Sequence, residues 1–262
     1  MNRSKQFSGL LLLILFLGCG ISRADPARIR VALFDDKGSA GKGVPNVLKQ
    51  LETHADLRVT KVTGPQIAEG ALKDFDVVIF TGGSGSRQAH TLGTKGREEV
   101  RQFVQRGGGY IGICAGAYLA CSGFDWGLGV LNAKTVSPKW QRGKGLVQVE
   151  ATSLGRQSLQ LPAATQQILY ANGPIIQPDP GKDLPAYEVL AFYRTELAEN
   201  GSPSGAMVDT PAIVRGTCGK GRVLSSSPHP EQTAGMEQFI AQAVRWVAGR
   251  PATRGASTAV AK

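Results

Sequence analysis

The run Gly107-Gly108-Gly109-Tyr110-Ile111-Gly112-Ile113-Cys114-Ala115-Gly116-Ala117-Tyr118 constrains the fold more than any other part of the chain. It reads as a short buried strand, a tight turn at Cys114 and a small-residue helix over 115–120. Gly112, Ala115, Gly116 and Ala117 let the backbone turn steeply, and the turn is expected to leave the cysteine side chain exposed. A strand that feeds a helix this abruptly belongs in a parallel sheet covered by helices on both faces.

The first half of the chain repeats that alternation. Apolar runs at 29–34 (IRVALF) and 75–80 (FDVVIF) read as buried strands, and 57–62 alternates as a third. Residues 44–53 place Val44, Val47, Leu48 and Leu51 on one helical face, and 95–105 is an amphipathic helix. The second half is richer in strands. Strands are expected at 145–152, 167–170, 187–193, 212–216 and 221–226, the last two joined as a hairpin around Cys218-Gly219-Lys220. Residues 235–247 close the chain with helical periodicity. No repeat or linker divides it, so residues 25–248 are read as one domain and 249–262 as a disordered tail.

Composition narrows the function. Hydrophobic residues make up 42% and charged residues 19% of 262, which supports one sizeable α/β core and excludes a disordered chain. The net charge of +10 points to nucleic acid until it is located. Residues 1–24 hold three basic side chains and no acid, and residues 249–262 hold three more. The body then carries 24 basic against 20 acidic residues, with no basic run, so no nucleic-acid partner is expected.

A basic start (Arg3, Lys5) precedes the apolar run 7–17, FSGLLLLILFL. It is too short to span a membrane and fits a secretory signal peptide over 1–24. Cleavage after Ser22-Arg23-Ala24 would release an exported chain, periplasmic or extracellular. The alternative is a lipoprotein, with Phe16-Leu17-Gly18-Cys19 as lipobox and Cys19 lipidated; a retained anchor is a third reading. Membrane contact is expected only through this segment. Without Cys19 three cysteines remain, Cys114, Cys121 and Cys218, so at least one stays unpaired in an oxidising compartment. Cys121 and Cys218 read as buried small hydrophobes, and Trp126, Trp140 and Trp246 as packing residues.

Cys114 at a helix N-terminus is placed to react, because backbone N–H groups there favour a thiolate. Such a nucleophile needs a base, and the base an orienting acid. His54 reads as a helix cap and His90 as part of a solvated Gly/Ser/Thr-rich loop. His229 follows a strand in Ser227-Pro228-His229-Pro230-Glu231, and Glu231, two residues on, can project the same way and fix its tautomer. Attack on an acyl carbon also needs N–H donors for the oxyanion. Gly82, Gly83 and Ser84, after the 75–80 strand, and Ala115, after the cysteine, are the candidates. The glycine loop lacks the Lys-Ser/Thr of a phosphate-binding loop. No His, Asp or Glu cluster has metal-ligand spacing, and neither metal nor cofactor is expected.

Gly82-Gly83-Ser84-Gly85 after a strand, Gly112-Ile113-Cys114-Ala115-Gly116-Ala117-Tyr118 and His229-Pro230-Glu231 together resemble the class I glutamine amidotransferase-like superfamily. Cys-Ala-Gly-Ala-Tyr and Tyr170-Ala171-Asn172-Gly173-Pro174 resemble its branch named for the biotin-protein ligase N-terminal domain, and the likeness runs over roughly 29–248. It implies a flavodoxin-like three-layer α/β sandwich, its central sheet mostly parallel with extra antiparallel strands in the second half. It also implies a Cys114–His229–Glu231 triad, oxyanion N–H groups from Gly83 and Ala115, and Tyr118 and Asn172 beside the substrate. Glutamine-hydrolysing members carry Gln four residues after the cysteine, where this chain has Tyr118. A biotin ligase needs a further catalytic domain that this sequence does not show. The expectation is an exported cysteine hydrolase or amidase acting on a C–N acyl bond of a small molecule or peptide. The alternative is a non-catalytic binding module of the same fold.

Overall fold

The computed structural model describes residues 28–137, 140–161 and 165–250. The expected signal segment, Cys19 and most of the expected tail lie outside the described residues.

In the first half, β1 (Ile29–Phe34), α1 (Gly43–Glu52), β2 (Leu57–Val62), α2 (Gly64–Ala68), β3 (Val77–Phe80), α3 (Gly85–Gln105), β4 (Gly109–Ile113) and α4 (Ala115–Ala120) alternate as expected. The second half adds β5 (Lys134–Thr135), β6 (Lys144–Ala151), α5 (Ser153–Leu159), β7 (Thr165–Ala171), β8 (Ile176–Gln177), β9 (Glu188–Tyr193), β10 (Pro211–Cys218), β11 (Gly221–Ser226) and α6 (Phe239–Val247).

Nine strands form one sheet in the order β2-β1-β3-β4-β11-β10-β9-β6-β7. Neighbours from β2 to β11 are parallel; those from β11 onward are antiparallel. β5 and β8 make a separate two-stranded ribbon. The sandwich is three-layered because alternate residues of each central strand feed opposite cores. Val31, Leu33, Val77, Ile79, Ile111 and Ile113 pack toward α1 and α6. Ala32, Phe34, Val78, Phe80 and Tyr110 pack toward α2, α3 and α4. On that second face the rings of Phe34, Phe80 and Tyr110 stack across β1, β3 and β4 at 4.9 and 5.7 Å.

The differences from expectation are local. Residues 85–94 are helical, so His90 sits on α3, exposed, and not in a loop beside the site. Ser84 accepts a hydrogen bond from Arg87 N at the start of α3, and Gly93 (φ 64°) breaks the helix where the two halves meet. Short α2 is set by a capping box, Thr63 with Gln66. Asp36 accepts from Gly64 N at 3.0 Å and Asp35 pairs with Lys61 at 3.0 Å, so this acidic pair serves turns at the strand end. The β10–β11 hairpin turns at Gly219 (φ 59°) as expected.

Candidate active site

β3, β4 and β11 are neighbouring parallel strands, so the segments that follow them leave the same edge of the sheet. The 82–84 loop, Cys114 and His229 all follow these strands. Cys114 sits at the sharp turn after β4 with φ 52° and ψ −97°, a backbone state disfavoured for a side chain. Its N–H donates to Ser226 O at 2.8 Å, and its carbonyl starts α4 by accepting from Tyr118 N at 3.1 Å. The turn is possible because α4 lies against the sheet without side chains between them. A Cβ on Gly112 would come within 2.4 Å of Gly116 O, and one on Gly116 within 2.2 Å of Phe80 O. Tyr110 Oη donates to Gly116 O at 2.8 Å and fixes the same corner.

His229 is held by a strand-like bridge to β7, its N–H donating to Leu169 O at 2.7 Å. Its Nδ1 lies 2.8 Å from Glu231 Oε1, and the Glu231 side chain is fully buried. That contact engages Nδ1, which Gln232 Nε2 also approaches at 3.1 Å, and leaves Nε2 free of Glu231; Cys114 is close enough to favour the ring's charged form. Burial, the largest single influence, works against a charged imidazole. The hydrogen bonds and charges of Cys114 and Glu231 together outweigh it and raise the His229 pKa to about 10. The side chains brought together are therefore a cysteine, an imidazole that favours its charged form, and a carboxylate.

A pH dependence follows. Because the folded-state pKa lies above the ordinary value, the pair's stabilisation is complete below about pH 6.5 and is lost as pH rises toward 10. We expect the urea midpoint to fall between pH 6.5 and 10, with a shallower fall in Cys114→Ala, measured by denaturation at constant ionic strength.

The other candidates separate into distinct roles. Gly82 lies against the imidazole: a Cβ there would be 2.7 Å from His229 Cε1, so this glycine makes room for the base. Gly83 (φ 138°) keeps an N–H with no acceptor among the described residues, and the Ala115 N–H lies in the first, unpaired turn of α4. Ser84 is a correction: its N–H is taken by Gly38 O at 2.9 Å, so it is no oxyanion donor, though the residue does line the cleft. Tyr118 and Asn172 both line that cleft, joined by Tyr118 Oη donating to Asn172 O at 3.2 Å. Burial pushes the Tyr118 phenol well up, so it stays neutral. Asn172 adopts φ 56° and accepts from Gly143 N at 2.8 Å.

Exposure of Cys114 is a second correction. It is only 6% exposed, and its thiol donates to Ala171 O at 3.3 Å, so Ala171 at the end of β7 covers it. Cys121 and Cys218 are buried free thiols as expected; burial pushes Cys121 up to about 12 and raises Cys218 as well. His54 accepts from Arg245 at 3.3 Å beside the Arg245–Asp56 ion pair, on another part of the molecule.

Two contributors escaped the sequence reading. Gln232 Nε2 donates to Glu231 Oε1 at 3.0 Å and steadies the acid; its place next to Glu231 was the available signal. Phe124, Trp126 and Trp140 wall the cleft of about 430 Å³ beside Gly83–Ser86. No periodicity marks them, because they come from irregular chain.

The family model described as "Biotin-protein ligase, N terminal" matches residues 29–142, which include Cys114 and end before His229 and Glu231. The chain is 28% identical over 102 residues to an uncharacterized protein of Chlamydia muridarum, covering 37% of this chain and 39% of that protein's length. It is 28% identical over 172 residues to pyridoxal 5'-phosphate synthase subunit PdxT of Koribacter versatilis, covering 62% and 71%. A crystal structure of a glutamine amidotransferase superposes with a TM-score of 0.57 at 22% identity, over 84% of this chain and 98% of that one. The fold is the one this glutamine amidotransferase adopts. Within this amidotransferase-like fold, the Cys114 turn and the His229 segment stand at the ends of adjacent strands, β4 and β11.

Proposed function

We propose that this amidotransferase-like protein is an exported cysteine hydrolase that cleaves a C–N acyl bond. The observation that carries the reading is the buried His229–Glu231 pair, 2.8 Å apart, on the segment after β11, beside the Cys114 turn after the neighbouring strand β4. The thiolate of Cys114 attacks the acyl carbon, and the oxyanion takes hydrogen bonds from the N–H groups of Gly83 and Ala115. His229 gives its proton to the departing nitrogen, the C–N bond breaks, and an amine leaves a thioester on Cys114. His229 then takes a proton from water, which attacks the thioester carbon. The C–S bond breaks, the acid is released and the thiolate–imidazolium pair is restored. Glutamine itself is not the proposed substrate, since Tyr118 occupies the place where glutamine-hydrolysing relatives carry Gln.

A second reading has an observation of its own. The cover over Cys114 and the Tyr118–Asn172 bond suit a non-catalytic binding module with a sequestered thiol. Alkylation separates the two. At pH 7 iodoacetamide should modify Cys114 ahead of Cys121 and Cys218, and His229→Ala should slow it roughly thirtyfold, since an ordinary thiol is only a few per cent thiolate there. The cover slows both proteins alike, so the ratio reports the imidazole. An unchanged rate in His229→Ala favours the binding module.

A further inference from the structure

We propose that the cleft beside Cys114 is shaped for a pyranose ring, so that the amide presented to the thiol is one carried on an N-acylated amino sugar. The inference rests on the hydrolase reading and names its substrate class.

The cleft has two unlike kinds of lining. One is aromatic: Phe124 and Trp126 stack at 4.3 Å with planes 17° apart, Tyr118 meets Phe124 edge-on at 6.2 Å, and Trp140 completes the set. The other is hydroxyl and amide: Ser84, Ser86, Gln141 and Asn172. The aromatic residues are only partly buried, whereas Phe34, Phe80 and Tyr110 of the core are 0% exposed, so packing alone does not account for them. They are held in place without being covered. Trp126 rests against Gly85, where a Cβ would come within 3.2 Å of its ring. The Arg142 guanidinium lies 5.6 Å from the Trp140 ring and is itself buried and paired with Glu196 at 3.0 Å.

A pyranose matches both linings. Its C–H faces suit aromatic rings, and its rim of hydroxyls suits serine, glutamine and asparagine side chains. A plain arene would satisfy the rings and leave the polar groups desolvated without partners. A free amino acid has no flat face for the wall. The cleft borders the cysteine corner through three of its lining residues: Gly83 of the glycine loop, Tyr118 one helical turn from Cys114, and Asn172 next to Ala171, whose carbonyl accepts the Cys114 thiol. A ring in the cleft therefore points an acyl substituent toward the Ala171 cover, which has to shift for the sulfur to reach it.

The test uses full-length Cys114→Ala, which binds without turnover, and reads tryptophan fluorescence. The probes are N,N'-diacetylchitobiose, phenylacetamide and L-glutamine. Chitobiose should give a saturable change. Trp140→Ala should weaken it at least tenfold and Gln141→Ala at least threefold, while Trp246→Phe, remote from the cleft, leaves it unchanged. Trp140→Phe, which keeps a ring, should recover part of the affinity and guards against misfolding of the alanine variant. No saturable response to chitobiose, an equal response in Trp140→Ala, or saturation by phenylacetamide alone would each overturn the proposal. Failure here leaves the alkylation ratio of Cys114 intact, so the two readings fall separately.

Discussion

On the proposed hydrolase function, Cys114→Ala will lose amide and thioester hydrolysis by about 10⁴- to 10⁶-fold, the scale on which removing a nucleophile from a coupled triad acts. The loss is this large because the sulfur supplies the covalent step itself. What survives is substrate binding and the two backbone donors, which act on an attacking water only weakly. The same coupling fixes the companion variants. His229→Ala removes the proton carrier, and the double variant Cys114→Ala/His229→Ala should be no slower than the worse single one. Glu231→Gln should cost less, since Gln232 and the Gly82 backbone still confine the ring while the charge opposite it is gone. The assay is turnover of an amide and thioester library, N-acylated amino sugars included, by wild-type and variant proteins matched for thermal unfolding. Equal turnover by wild type and Cys114→Ala would remove the catalytic assignment.

The strands of the first half were legible because β3 and β4 are short and wholly apolar, β1 is so apart from Arg30, and all are punctuated by glycine or acidic turns. A strand buried on both faces leaves that signature. The cysteine turn was legible for a steric reason, as small residues are the only ones that let α4 approach β3 and β4. His229 and Glu231 were legible because they stand two residues apart, although the 230–232 segment is a 3-10 turn and not the extended turn expected. The cover over the thiol was not, since it joins residues 57 apart in sequence, Cys114 and Ala171, through a carbonyl that carries no sequence signal. Ser84 read as an oxyanion donor for a related reason: its N–H is taken by Gly38 O, from a loop after a different strand. Helix α3 was cut short in the reading because Gly85, Ser86 and Thr91 look like loop residues, and the Ser84 cap overrides them. The aromatic wall depends on chain without periodicity, so Trp126 and Trp140 passed as ordinary packing.

Two glycines near this site should fail in opposite ways, and the contrast tests whether fold and chemistry separate. At Gly116 an added Cβ would sit 2.2 Å from Phe80 O, and the obstacle is the backbone of a central strand that cannot move without opening the sheet. Gly116→Ala should cost about 3–5 kcal/mol, a large part of a typical domain's stability, and Gly116→Val should leave little soluble protein. At Gly82 the Cβ would meet His229 Cε1 at 2.7 Å, and the obstacle is a side chain. The imidazole can tilt away only by stretching its 2.8 Å contact with Glu231 and changing its placement beside Cys114, so Gly82→Ala should fold, melt within a few degrees of wild type and lose Cys114 alkylation nearly as fully as His229→Ala. Urea denaturation and alkylation rates on the two alanine variants check the pair. A Gly82→Ala protein that alkylates at the wild-type rate would mean that the ring position does not govern the thiol, and the triad would lose its mechanical basis.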